Sequence, residues 1–185
     1  DKGLPNNIEA EKSLLGSVFW SYAALQKACE EMDKEAFYLD SNGTIFEVIK
    51  ELYDNKKPVD MNTLTAELVT KKLLDKVGGV EYLNEIIDSV ATGANIDYYI
   101  NLVLEKFTLR KMIEEATKII TNANTPDIDV SLLVESAEKN ILNVAKSRKT
   151  SEFRKVQDVL TKAQQDLQHL VENHGRVTGL TTGLY

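Results

Sequence analysis

Residues 95–123 read NIDYYINLVLEKFTLRKMIEEATKIITNA and contain neither glycine nor proline. A stretch of this length without a breaker predicts one long helix. At roughly 100° per residue, Ile96, Tyr99, Ile100, Val103 and Phe107 share one face. Leu109, Met112, Ile113, Ala116, Ile120 and Ala123 share a face nearly opposite. A helix whose apolar stripe changes sides halfway has two packing partners. Its first half is expected to seat on a core and its second half to leave it.

On the N-terminal side of this helix the periodic stretches are short. Pro5-Asn6-Asn7 precedes Ile8, Leu14, Leu15, Val18 and Phe19 at helical spacing, with Asn7 as N-cap and Glu9 and Glu11 in the first turn. Further helices read at about 22–32, 43–54, 62–73 and 79–90. The breaks between them fall at Asp40-Ser41-Asn42-Gly43, Lys57-Pro58-Val59-Asp60 and Gly78-Gly79. Five short helices with short links predict a compact all-α lobe over residues 1–92.

On the C-terminal side, Asn122 to Asp127 reads as a turn, and Asp129 or Ser131 is placed to cap a helix over about 130–147. Val130, Leu133, Val134, Ala137, Ile141 and Val144 form its stripe. Together with the long helix it is expected to make an antiparallel helical hairpin over residues 93–147, with apolar surface left over around Ile119. Ser147 to Phe153 reads as a polar linker. Val156, Leu160, Ala163, Leu167, Leu170 and His174 then alternate spacings of four and three, a narrow stripe on an otherwise polar helix suited to docking in a groove. This linker and its helix occupy residues 148–175, and Gly175 is expected to end the helix. The overall expectation is an all-α chain: helical lobe, long hairpin, then a separate linker helix.

Composition narrows the function. The net charge is −7. Residues 148–176 hold six basic and four acidic side chains and the last nine hold none, which leaves about −9 on residues 1–147. A surface that grips phosphates needs the opposite sign, which argues against a helical DNA-binding regulator. The single cysteine, Cys29, lies among Leu25, Ala28 and Met32 and reads as a small buried hydrophobe rather than a nucleophile. It permits no disulfide within the chain, which suits a reducing, cytoplasmic location. No apolar run approaches the roughly 18 residues of a membrane span.

Catalytic patterns do not assemble. The phosphate-cradling pattern of G-x-x-x-x-G-K followed by Ser or Thr is absent, and Gly78-Gly79 leads into Val80-Glu81-Tyr82 with no lysine in reach of a phosphate. His169 and His174 fall about 140° apart around a helix, and no metal set surrounds them. No catalytic, cofactor or metal site is expected in residues 1–185, so a stand-alone enzyme is disfavoured.

Six stretches in register carry a resemblance. They are Asn7-Ile8-Glu9-Ala10-Glu11-Lys12-Ser13-Leu14-Leu15-Gly16, Phe37-Tyr38 with Ile45-Phe46, Pro58-Val59-Asp60-Met61-Asn62-Thr63-Leu64, Gly78-Gly79-Val80-Glu81-Tyr82-Leu83, Asn95-Ile96-Asp97-Tyr98-Tyr99, and Gly175-Arg176-Val177-Thr178-Gly179-Leu180-Thr181-Thr182-Gly183. In this order they resemble the N-terminal part of replicative DNA helicases of the DnaB type. Asn42 stands where that family often has a histidine, and Leu184 where an aromatic is usual.

The resemblance implies a hexameric helicase that unwinds duplex DNA with ATP and Mg. Its ATP-driven RecA-like motor would begin at residues 176–185, so this chain would hold only the non-motor part. It implies subunit pairing through the hairpin, for which Leu109, Ile113, Ile120, Val134 and Ile141 are the candidates. It implies binding of the C-terminal domain of primase, for which Glu9, Tyr82, Ile113 and Ile119 are the candidates. A helicase loader is a further candidate partner, and DNA would be held by the motor. Val156, Leu160, Ala163, Leu167 and Leu170 are the candidates for docking on the neighbouring subunit's motor.

Overall fold

In a computed structural model of the chain, the backbone is described for residues 3–182, and the side chains for those residues apart from 148–155, 158 and 175–182. Among the described residues, seven α-helices follow one another and no strand occurs. They are α1 (Ile8–Trp20), α2 (Tyr22–Glu31), α3 (Asp40–Asp54), α4 (Met61–Thr70), α5 (Gly79–Asp88), α6 (Ile96–Ala123) and α7 (Val130–Thr182), with a 3-10 turn at Lys34–Ala36. The chain divides into two units, one up to Leu133 and one from Val134 onward.

Local chemistry sets most of the helix starts. The Asn7 side chain accepts from the Ala10 N–H at 3.0 Å, and the Ser21 hydroxyl accepts from Ala24 at the start of α2. Asp60 and Thr63 exchange two hydrogen bonds in a reciprocal cap on α4. Gly78 turns the chain into α5 with φ of +112°, a conformation that side chains with a Cβ rarely adopt. Asp129 accepts from Leu132 at the start of α7.

Two boundaries differ from the sequence expectation. The Asp-Ser-Asn-Gly cluster at 40–43 is not a break but the first turn of α3. No local side chain caps that helix; Glu11 on α1 instead fixes the segment leading into it from across the lobe, by accepting from the N–H groups of Tyr38 and Leu39. The backbone of α7 also runs helically through 147–153 and past Gly175, so the expected linker and helix stop are not seen. The reason is compositional: 147–153 contains polar residues but neither glycine nor proline, and Arg, Lys and Glu are good helix formers. Of the expected start of the motor, residues 176–182 continue this helix and residues 183–185 lie outside the described residues.

The first unit is built around α1, which packs on α2, α3, α5 and α6. Leu14, Leu15, Ala28, Ile45, Phe46, Ile49, Leu64, Leu68 and Ile100 are fully buried. At Gly16 the helices α1 and α5 cross so closely that a Cβ would overlap the carbonyl oxygen of Ile86. The long helix α6 contributes Ile96, Ile100 and Val103 to this core, with Tyr99 and Phe107 packed at its margin. Beyond Phe107 no residue of α6 is buried. No helix among the described residues is long and apolar enough to cross a membrane.

Cys29 lies in this core, where burial and the negative charge of Asp54 push its thiol up to about 12. At pH 8 the thiolate is then only about one part in ten thousand of the folded population. Alkylation by iodoacetamide at pH 8 is expected to be at least about a hundredfold slower in the folded chain than in denaturant. Equal rates, read by mass spectrometry, would contradict this placement.

Candidate interaction surfaces

The second half of α6 carries the stripe that the core does not use. Leu109, Met112, Ile113 and Ile120 are between 40% and 63% exposed, and Ala116 and Ala123 on the same face are also at least partly open. Of the other residues expected to pair subunits, Val134 is 51% and Ile141 40% exposed. Leu132 and Leu142 are open as well and were not anticipated, because they fall off the α7 stripe that the sequence spacing picks out. Five large apolar side chains nominated from the sequence are therefore all at the surface. Exposed aliphatic surface at this density costs free energy in water, at roughly 25 cal/mol per Å², until another surface covers it.

The residues nominated for primase binding fall into two groups. Glu9 and Tyr82 sit on α1 and α5, linked through Lys12: its ammonium lies 3.7 Å from Glu9, 3.6 Å from Glu85 and 5.7 Å from the centre of the Tyr82 ring. The Glu9 side chain is 85% exposed. Tyr82 is half-buried and its hydroxyl is occupied, donating to Oδ1 of the buried Asn42. Burial raises the Tyr82 phenol, with the hydrogen bond to Asn42 opposing it. Ile113 and Ile119 belong to α6. Ile119 is half-buried whereas its neighbour Ile120 is the more open of the two.

Behind Tyr82 lies a buried polar cluster that periodicity did not reveal. Glu11 is 1% exposed and its carboxyl group accepts from Tyr38 N at 2.8 Å, Leu39 N at 3.3 Å and Asn42 Nδ2 at 3.0 Å. Asn42, itself buried, hands the chain of hydrogen bonds on to Tyr82. The available signal was positional: Glu11 stands three residues after Ile8 and four before Leu15, on the apolar face of α1.

On α7 the residues nominated for motor docking are open. Val156, Leu160, Leu167 and Leu170 are 55% to 64% exposed, and Ala163 is exposed between them. Val159 and Val171 flank the stripe and are equally open, so the apolar face is broader than the alternating spacing suggests.

Known proteins share this geometry. Residues 3–105 match the family described as DnaB-like helicase N terminal domain. The chain is 40% identical over 183 residues to replicative DNA helicase DnaC of Bacillus subtilis (strain 168); the match covers 99% of this chain and 40% of that protein. Among solved structures, the N-terminal domain of DnaB helicase from Mycobacterium tuberculosis superposes with a TM-score of 0.72 at 32% identity, covering 77% of this chain and 99% of that one. A DnaB-like replicative helicase characterised with its interactions with primase gives a TM-score of 0.58 at 25% identity, covering 75% of this chain and 31% of that one. The chain thus spans about two-fifths of the length of its curated helicase relative. With a family match over more than half its residues and this likeness in fold, the chain belongs to the DnaB-like helicase N-terminal domain family.

Proposed function

We propose that this chain is the assembly and primase-binding part of a hexameric replicative helicase. The observation that carries the reading is the outward stripe of α6, Leu109, Met112, Ile113 and Ile120, on a helix whose other half is core. A second copy covers that stripe and the exposed Val134 and Ile141, giving pairs of subunits within a hexamer. The C-terminal domain of primase binds Glu9, Tyr82, Ile113 and Ile119, in line with the primase interactions of the related DnaB-like helicase. The open face of Val156, Leu160, Ala163, Leu167 and Leu170 docks on the motor of a neighbouring subunit. Unwinding of duplex DNA, with ATP and Mg, belongs to the motor of the full-length protein and not to residues 1–185. The acidic balance of residues 1–147 speaks against the alternative of a DNA-binding regulator.

Titrating a labelled primase C-terminal domain with this chain tests the reading. Saturable binding with a dissociation constant in the micromolar range, about −8 kcal/mol, is expected. Glu9→Lys, whose side chain is 85% exposed and lies off the pairing stripe, is expected to leave folding and self-association intact and to weaken that binding at least about tenfold. Absence of saturable binding at about 100 µM would refute the primase assignment.

A further inference from the structure

Phe107 is the last side chain of α6 packed against the core, and three residues later Arg110 makes a connection of another kind. Its Nη1 donates to the carbonyl of Pro5 and its Nη2 to the carbonyl of Ala36, both at 2.8 Å. Those acceptors lie 105 and 74 residues away in sequence. The guanidinium also stands 5.5 Å from the centre of the Tyr38 ring and 5.8 Å from that of Phe107. The Tyr38 backbone is held in turn by Glu11. One side chain therefore ties three segments at the point where α6 leaves the core: the arm before α1, the 3-10 turn, and α6 itself.

The position of this tie matters more than its strength. Pro5 lies four residues before Glu9, and Ile113 lies three residues after Arg110. The Arg110–Pro5 bond thus joins the segment that leads into Glu9 to the helix that carries Ile113 one turn further on and Ile119 about two and a half turns further on. One half of the candidate primase surface rides on the lobe and the other on a helix that no buried residue anchors after Val103. A partner that touches both halves gains from having them fixed relative to each other before it arrives.

We infer that Arg110 is a positioning residue that holds Glu9 and Tyr82 on the lobe and Ile113 and Ile119 on α6 as one partner-binding surface, without itself meeting the partner. The inference rests on the primase reading above. Its chemistry depends on the fork of the guanidinium, whose two nitrogens reach two carbonyls at once while the plane lies against aromatic rings. A lysine keeps the positive charge but cannot hold both carbonyls in that geometry.

The test compares the unaltered chain with Arg110→Lys and Arg110→Ala in three measurements: melting by circular dichroism, self-association by sedimentation, and affinity for a primase C-terminal domain. In Arg110→Lys the melting midpoint is expected to stay within about 5 °C of the parent, while affinity for primase falls about tenfold. Self-association is expected to change by less than about threefold, because the α6 stripe keeps its own helical hydrogen bonds. Arg110→Ala should lose at least as much primase affinity. Parental affinity in both variants would overturn the inference. So would a parallel loss of self-association and primase binding in Arg110→Lys, since that marks general damage to α6. If the unaltered chain binds no primase, the underlying reading fails, and the inference with it.

Discussion

Glu11→Ala is expected to lower the stability of the lobe by about 3–5 kcal/mol, at the upper end of what a single truncation costs. The carboxyl group is 1% exposed and accepts three hydrogen bonds, two of them from backbone N–H groups ahead of α3. Alanine leaves the buried Asn42 amide and the two part-buried backbone donors unpaired and opens a polar void beneath Asn42 and Tyr82. No other side chain can substitute locally, because α3 has no side-chain cap of its own. Glu11→Gln keeps one acceptor oxygen and presents an NH2 group to the remaining donors, so a smaller loss of about 2 kcal/mol is expected. Thermal unfolding followed at 222 nm checks both: the alanine variant should melt at least about 10 °C below the parent. A midpoint within about 2 °C would show that the Glu11 bonds contribute little.

This carboxyl group also marks where the sequence stops being legible. Helix α6 is legible because its two deciding properties are local: no breaker over 95–123, and two stripes on opposite faces. The capped starts at Asn7 and Asp60 and the turn at Gly78 are equally local, and local chemistry decides them. The start of α3 is not local. Asp40-Ser41-Asn42-Gly43 has the composition of a loop, yet it is helical, and a residue 31 positions before Asn42 holds the Asn42 side chain and the backbone that leads into the helix. The expected linker over 147–153 fails for the opposite reason. Its polarity suggests a break, but helices end on backbone chemistry, and this stretch has none that ends one. A single glycine such as Gly175 costs a helix about 1 kcal/mol and does not by itself stop it.

The candidate interaction surfaces are partly legible for the same reason that α6 is. An apolar stripe that its own domain does not cover can be read from periodicity, and Leu109, Ile113 and Ile120 are where periodicity puts them. Arg110 cannot be found that way. Its partners are backbone carbonyls, which carry no sequence signature, and they lie far away along the chain. Ile119 and Ile120 show how coarse periodicity is. They are adjacent in sequence, but the half-buried one is the residue that falls off the main stripe.

The second large effect is expected from the stripe itself. Ile113 and Ile120 are 40% and 63% exposed, so aspartate at either position should change the stability of a single copy by no more than about 0.5 kcal/mol. Covered by a second copy, the area each isoleucine still exposes contributes on the order of 1 kcal/mol in each of the two copies, and aspartate adds the cost of burying a charge. The double variant Ile113→Asp/Ile120→Asp is therefore expected to weaken self-association by at least about a thousandfold, about 4 kcal/mol, with its helical circular dichroism unchanged.

Whether the outward stripe of α6 joins two copies is decided by sedimentation equilibrium of the unaltered chain from about 1 to 200 µM, beside that double variant. A dimer or larger assembly that forms with rising concentration is expected in the parent, and a monomer throughout in the variant. A parent that stays monomeric across the whole range, or a variant that assembles as the parent does, would contradict pairing through this stripe.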